Sequence, residues 1–556
     1  MGVQILSGEP ALAHIGSEAF VALWKSLHAR CPWATGCQHP DFVLPWYAIY
    51  RERHAPLVLV DAAADGTLRG LFTLAWSADG RRLTGAGAGQ AEYQGWIAGA
   101  VHADRFAHEA FACLRAALPQ ARTSLKYLPP GIPLGFLQAG AGERKYCVLH
   151  AHARPVLRID PAAMETLRRK KTHRQNANRL GRLGPLAFER VTGAAQFGRL
   201  FDDICLQYDF RQAALHRQTP FLSDPLKKRF YLELQRRGML HTTVLTVGAA
   251  LAAAHIGLLS KERTVHLGIS AHAPALAAHS PGQLLLVLLG SQLAADRIGL
   301  LDLTPGGDPY KEHFASDHDE VFELTMAGSL AQRVQARAAA GARRTGKALL
   351  HMSGRRKADV VAVLERLRAL ARRVAPGHPR QAARTGRAFW RLAPGAPCAA
   401  DPSASTSTST STSTLAVSRN SLEDVFKYDD AAAPVTRGMF IGMAMRRLEQ
   451  RCDLFCYAPC DKLVLHCWAH ARRAEGACPP PAQRVEPGAT VLFDLQAHGA
   501  EASDDLVQRF VERILATLDR TSADAAVYYS GRLSAACRQG MRRCGFVDAT
   551  PPGSLQ

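Results

Sequence analysis

Apolar residues dominate two short runs near the start of the chain, Pro56–Ala62 (PLVLVDA) and Gly70–Trp76 (GLFTLAW). Turn residues separate them, which predicts a β-hairpin. The glycine-rich run Gly85–Gln90 (GAGAGQ) follows. It has the composition of a phosphate loop but lacks the strand–loop–helix surroundings, so a plain turn is expected. Beyond residue 155 the spacing changes to helical: Met164–Arg182, the region around Phe197–Tyr208, and Asp224–Arg237. Three strand patterns come next, Thr242–Val247, Ala252–Ser260 and Thr264–Ser270. Gly248 and Lys261–Arg263 mark the turns of an antiparallel meander. A long helix is expected over Pro281–Arg297, then a buried strand Ile298–Thr304, a short helix near Tyr310 and a strand Glu320–Leu324. Meander, helix, strand, helix, strand is an α/β order.

The last stretch repeats this grammar. Lys462–His470 and Ala489–His498 read as strands, then a helix Asp504–Leu518, a strand Ala525–Ser530, a helix Leu533–Arg543 and a short return at Gly545–Ala549. Between the two α/β stretches, Ala358–Ala375 has helical period, with arginines around Val360, Leu364, Leu367 and Leu370. It either packs on its neighbours or lies on a membrane surface. The repeat Ser405–Thr414 buries nothing and is expected to be a flexible linker. The resulting divisions are 1–152, 153–328, a basic helical and low-complexity linker 329–419, and 420–556.

Charge sharpens this picture in one place. The chain of 556 residues has a formal net charge of +20. Sixteen Lys or Arg against two acids fall between Leu330 and Ala400. That segment reads as a solvated basic linker, compatible with peripheral contact to an anionic membrane surface; nucleic acid is not the expected partner. Thirteen scattered cysteines form no disulfide framework and fit a reducing, cytoplasmic location. Cys452, Cys456, Cys460, His466 and Cys467 lack the paired C-x-x-C clusters of structural zinc sites, so no metal is expected. No secretory signal pattern opens the sequence, and no apolar run is long enough to predict a transmembrane segment.

Candidate chemistry concentrates in TVHLGISAHAPALAAHSPGQLLL and the GLLDLTPGGDPYKEHF block after it. Ser280 is a favoured N-cap and Pro281 suits the first helical position. Gly282 leaves room where loop becomes helix. The free N–H groups of such a terminus carry partial positive charge and suit a pyrophosphate. The preceding strand, with Gly268 and Ile269, can offer backbone groups to an extended cofactor arm. Leu284, Leu285, Leu288, Leu289 and Leu293 are expected to anchor the helix in the core.

These same residues carry a family resemblance. SPGQLLL followed by GLLDLTPGGDPYKEHF resembles the GNAT-type acyltransferases of the CelD-like group, involved in cellulose biosynthesis and related to the peptidoglycan aminoacyltransferases. The likeness covers roughly Leu157–Leu324. Pro32–Tyr47 and Gly87–Trp96 look like the family's N-terminal half, a diverged GNAT-like lobe. The implied fold is α/β (α+β): tandem GNAT-like lobes with mixed, mostly antiparallel sheets flanked by helices, plus a C-terminal GNAT-like domain. The implied cofactor loop is Ser280, Pro281, Gly282, Gln283, Leu284 and Leu285, cradling acetyl-CoA or another acyl-CoA, with no metal. The family's loop has two glycines and a basic or Gln residue; this one offers only Gly282 among its glycines.

The resemblance implies acyl transfer from the thioester to an amine or hydroxyl on a small or sugar-like acceptor, as an N- or O-acetyltransferase of polysaccharide or cell-envelope metabolism. Tyr310 matches the tyrosine that protonates the leaving thiolate. Asp302, His266, Asp308 and His255 are each candidate bases or acceptor-orienting groups, and Asp308 and Lys311, which flank Tyr310, are further candidates for holding the acceptor. In the last stretch the equivalent loop, Ala497–Asp505, holds three acids, and Met541 stands where the tyrosine would be. That unit reads as non-catalytic. Two alternatives stay open: an aminoacyl-tRNA-dependent transferase on the same fold, and a non-catalytic GNAT-like adaptor.

Overall fold

In the computed structural model the described residues are 2–77, 82–138, 142–261, 263–306, 308–327, 332–335, 338, 341, 387–393, 415–431, 435–471, 485, 488–498, 502–518 and 526–549. The expected helix Ala358–Ala375 and the Ser405–Thr414 repeat lie outside them. The chain forms two compact units. One comprises Met1–Cys205, Pro220–Ala271 and Pro281–Arg355, the other Leu206–Thr219, His272–Ser280 and Arg356–Gln556.

The first unit is built on one mixed sheet of thirteen strands. They are β1 (Gln4–Ser7), β2 (His54–Ala62), β3 (Leu68–Ser77), β4 (Arg82–Gly85), β5 (Ile97–Ala98), β6 (Arg122–Leu125), β7 (Cys147–Arg158), β8 (Leu186–Val191), β9 (Leu240–Val247), β10 (Ala250–Ser260), β11 (Thr264–His272), β12 (Leu300–Asp302) and β13 (Asp317–Met326). Their spatial order is β1-β2-β3-β4-β6-β13-β7-β12-β11-β10-β9-β8, with β5 beside β3. The hairpin read from the sequence is β2–β3, antiparallel. Two neighbouring pairs are parallel, β4 with β6 and β11 with β12. The long pairing of β13 with β7, ten positions from Asp317↔Val156 to Met326↔Cys147, joins the two halves into one sheet.

Helix Pro281–Ala295 bridges the parallel pair β11 and β12. Leu284, Leu285, Leu289 and Leu293 are buried as expected, Leu288 is only half-buried, and Leu286 and Val287 are buried beyond the anchors expected. The helix closes a core with Leu157, Val265, Leu267, Leu301 and Leu303. A Cβ added at Gly290 would lie 2.5 Å from Met164 Sδ, so this glycine lets helix Pro161–Arg169 approach. The sequence suggested one helix over Met164–Arg182. Instead the chain breaks at Lys170 (φ −54°, ψ 135°) between Pro161–Arg169 and Lys171–Gly181. An unbroken helix continuing the stripe of Met164 and Leu167 would bury Lys171 and Arg174. The break re-phases the second helix so that His173, Asn176 and Leu180 face inward.

The second unit has seven strands: β14 (Arg387–Leu392), β15 (Ser418–Arg419), β16 (Asp453–Tyr457), β17 (Leu465–Ala471), β18 (Thr490–Ala497), β19 (Val527–Arg532) and β20 (Phe546–Asp548). Their order is β15-β16-β17-β18-β19-β14-β20. β14 was read from the sequence as part of the connecting region; it is an inner strand of this sheet, with Trp390 buried. β18 and β19 are parallel around helix Asp504–Thr517, as β11 and β12 are around Pro281–Ala295. The described cysteines are free thiols. Among the described residues no helix is long and apolar enough to cross a membrane.

Candidate functional site

The βαβ step fixes the site's position. Parallel pairing of β11 with β12 runs only from Thr264↔Leu300 to His266↔Asp302. β11 continues to His272, whereas the chain after Asp302 turns away through Thr304, a left-handed residue with φ 61°. The two strands therefore part just beyond His266 and Asp302. In a βαβ unit the helix follows the carboxyl end of the first strand; here helix Pro281–Ala295 follows β11 after residues 273–280 and leads into β12. Beyond the split Gly268 is exposed, an unusual state for an interior strand, while Ile269 is buried. A Cβ on Gly268 would meet the Ile256 carbonyl oxygen at 2.8 Å.

At the helix opening Pro281, Leu284 and Leu285 are buried, Gly282 is partly exposed and Gln283 exposed. Ser280, expected as the N-cap, is left-handed (φ 52°, ψ 50°) and ends a short 3-10 turn, its N–H donating to the Ala277 carbonyl at 2.9 Å. Side-chain caps normally sit in extended backbone, so Ser280 turns the chain sharply into Pro281.

At the fork of the split, Asp302 is 0% exposed. Its Oδ2 accepts from Tyr93 Oη at 2.7 Å, from His266 Nδ1 at 2.9 Å and from Arg154 Nη1 at 3.0 Å. Its Oδ1 accepts the Thr304 N–H at 2.8 Å. Burial alone would raise this carboxyl, but the His266 hydrogen bond, the Arg154 charge and the Tyr93 hydroxyl overrule it and hold the group down at about 2. Arg154 is anchored on its far side by a bidentate pair with Asp319. With Asp302 ionised, His266 donates from Nδ1, which leaves Nε2 as the ring's other edge. That Nε2 is buried and has no hydrogen-bond partner. An orphaned buried polar atom is costly, and functional sites are where that cost is tolerated.

Sequence reasoning found His266 and Asp302 but missed Tyr93, Arg154 and Asp319. Tyr93 comes from the glycine-rich region treated as a plain turn. That turn is built to hold the tyrosine: Gln38 Nε2 donates to the Tyr93 carbonyl at 2.9 Å, and Gly87 has φ 93°. A Cβ at Gly85 would meet the Gln94 side chain at 2.6 Å. The Tyr93 ring packs edge-on to His266 at 5.1 Å.

The other expected residues distribute differently. Tyr310 lies in helix Pro309–Phe314, partly buried against the leucine core below the split. Asp308 precedes that helix and makes no side-chain cap. Lys311 is 7% exposed, and its Nζ donates to the carbonyl and hydroxyl oxygens of Thr304, each at 3.1 Å. Desolvation lowers its ammonium pKa, against the pull of Asp308 and Glu92. His255 is 0% exposed and neither ring nitrogen has a hydrogen-bond partner. A Cβ on Gly257 would touch both His255 and Val265, so His255 shares the face of Val265 and points away from the His266–Asp302 face. The helices Pro161–Arg169 and Lys171–Gly181 expose Lys170, Lys171, Arg174, Arg179 and Arg182, none with a carboxylate partner among the described residues.

In the second unit β18 likewise outruns its partner beyond Phe493↔Ser530, at left-handed Asp494. There the helix opening is closed by its own cap, Ser503 Oγ accepting the Leu506 N–H at 3.2 Å, with Asp504 and Asp505 in the first turn. Met541 is fully buried in the core.

Residues 168–312 match the acetyltransferase (GNAT) domain family. No curated protein matches the chain. Among solved structures, FemX is 7% identical over 55% of this chain and 95% of its own, with a TM-score of 0.38. A tandem GNAT protein from the clavulanic acid biosynthesis pathway is 12% identical over 59% of this chain and 99% of its own, with a TM-score of 0.35. L-PGS from Bacillus licheniformis is 11% identical over 55% and 96%, with a TM-score of 0.33. The matched GNAT segment contains the helix opening, the split and the His266–Asp302 pair; Tyr93 and Arg154 lie outside it.

Proposed function

We propose that the chain is an acyltransferase that moves an acyl group from coenzyme A to an amine or hydroxyl. The observation that carries this reading is the parting of β11 and β12 beyond His266↔Asp302, in the βαβ step that helix Pro281–Ala295 connects. Amides of Gly282, Gln283 and Leu284 would hold the pyrophosphate. The Gly268–Ile269 backbone would lie along the pantetheine arm, and the thioester would reach the fork. There the acceptor's nitrogen or oxygen attacks the carbonyl carbon. His266 Nε2 takes the acceptor's proton, and Asp302 stabilises the imidazolium that forms. The carbon–sulfur bond breaks, and Tyr310 gives its phenolic proton to the thiolate. Asp308 and Lys311 shape the loop that carries Tyr310. The CelD-like resemblance suggests an acceptor from polysaccharide or envelope metabolism and a cytoplasmic setting, with which the free thiols are compatible.

Tyr310→Phe tests the leaving-group step. Thiol release should fall by about 10²-fold in kcat while the KM for acyl-CoA stays unchanged, because the hydroxyl acts only as the thiolate departs. An unchanged kcat would remove Tyr310 from the mechanism.

A second reading rests on Lys170, Lys171, Arg174, Arg179 and Arg182, exposed cations without a carboxylate partner among the described residues. They suit the phosphates of an aminoacyl-tRNA donor. That reading requires tRNA affinity that falls steeply with salt.

A further inference from the structure

The face of the sheet that carries His266 and Asp302 does not end at the fork. Directly opposed residues of paired strands share a face. The register Asp302↔Val156, Arg154↔Asp319 and His150↔Glu323 therefore puts Asp302, Arg154, Asp319, His152, His150 and Glu323 in one row along β7 and β13. Six residues separate Val156 from His150, so the row runs about 20 Å from the fork. Two buried valines, Val156 at the fork and Val321 opposite His152, share this face; its other named positions are polar, although it lies in the middle of a thirteen-stranded sheet.

The far end of this row is a cluster of rings and acids. His150 and His152 pack edge-on at 4.5 Å, and Tyr127 packs edge-on to His152 at 5.1 Å. His152 Nε2 lies 3.5 Å from Glu323 Oε1, and the Lys126 ammonium, 2.6 Å from Glu92, sits over the Tyr127 ring. The cluster is accessible: the side chains of His152 and Glu323 are 24% and 30% exposed. It is also incompletely satisfied, since His150 Nδ1 is buried without a hydrogen-bond partner.

We propose that this row is the acceptor subsite and that it binds a short saccharide chain, a deepening that rests on the transfer reading above. The chemistry selects the ligand class. Flat Tyr127 and His152 rings suit the apolar C–H face of a pyranose, while Glu323, Glu92 and Asp319 accept from its hydroxyls and His150 Nδ1 gains a partner. Each of these carboxylates already faces a basic group, Lys126, Arg154 or His152, so among the described residues this end lacks the unpaired cations of the basic helices that a phosphate chain would need. A saccharide bound here presents one terminal amine or hydroxyl to His266.

Saturation-transfer NMR of the full chain with chitotriose and with maltotriose tests this without any acyl donor. At least one should give signal, weakened more than tenfold in Tyr127→Ala and in Glu323→Gln and retained in Tyr127→Phe and His266→Ala. Thermal melting of each variant shows whether it is folded. Absence of signal from both probes, or full signal in both weakened variants, overturns the proposal. So does displacement of the saccharide by an alanine tripeptide. A chain that binds coenzyme A but no saccharide fails this inference alone, and one that binds saccharide but no coenzyme A fails the transfer reading alone.

Discussion

Replacing His266 with alanine should lower acyl transfer by about 10²–10⁴-fold, the range spanned by a well-placed proton acceptor. Acyl-CoA binding should persist, because the helix opening is untouched. The effect is expected to be large because no other described group could take over: His266 is the base candidate held by an ionised carboxylate at 2.9 Å on the face of the fork. His255→Leu is the control. That buried side chain faces the other way and neither ring nitrogen has a hydrogen-bond partner, so an apolar replacement strands no partner and should leave kcat within about twofold. Steady-state kinetics on both variants decides the matter. Equal losses would mean that the strands, not the imidazole, were being disturbed.

Asp302→Ala should have the largest effect on stability. It strips the partner from four buried donors at once, Tyr93 Oη, His266 Nδ1, Arg154 Nη1 and the Thr304 N–H. Breaking one buried ion pair typically costs about 3–5 kcal/mol, and Arg154 keeps Asp319, so a loss within that range is expected from urea denaturation. The same group sets a pH signature. Its folded pKa of about 2 lies below the ordinary value of about 3.9. Its contribution is therefore complete above about pH 4 and is lost as pH falls toward 2. The wild type should weaken across that interval and Asp302→Ala should show a flatter profile there. Parallel profiles would show that Asp302 is not held as described.

Much of this was legible in the sequence because local patterns encode local structure. Helix Pro281–Ala295 announced itself through its proline start and leucine run, and the α/β order around it followed from the alternation of strand and helix periods. His266 and Asp302 could be named because they sit in strands that the pattern located. What the sequence concealed was non-local. Tyr93 lies 209 positions before Asp302, and no spacing rule links a tyrosine after a glycine-rich turn to a carboxylate so distant. Arg154 and Asp319 meet through strand pairing of β7 with β13, which joins segments 165 positions apart. The break at Lys170 accompanies a change in which side of each helix is buried, and no proline or glycine marks it between Met164 and Leu180. β14 was missed because its six residues sit alone between stretches of linker composition.

The central claim is that amides at the start of helix Pro281–Ala295 receive the diphosphate of coenzyme A. Calorimetric titration of the full chain with coenzyme A measures this directly. Saturable binding to the wild type and to His266→Ala, lost by more than tenfold in Gly282→Glu, is the result expected, since a carboxylate placed at that terminus repels the phosphates. No binding to the wild type, or equal binding to Gly282→Glu, would contradict it.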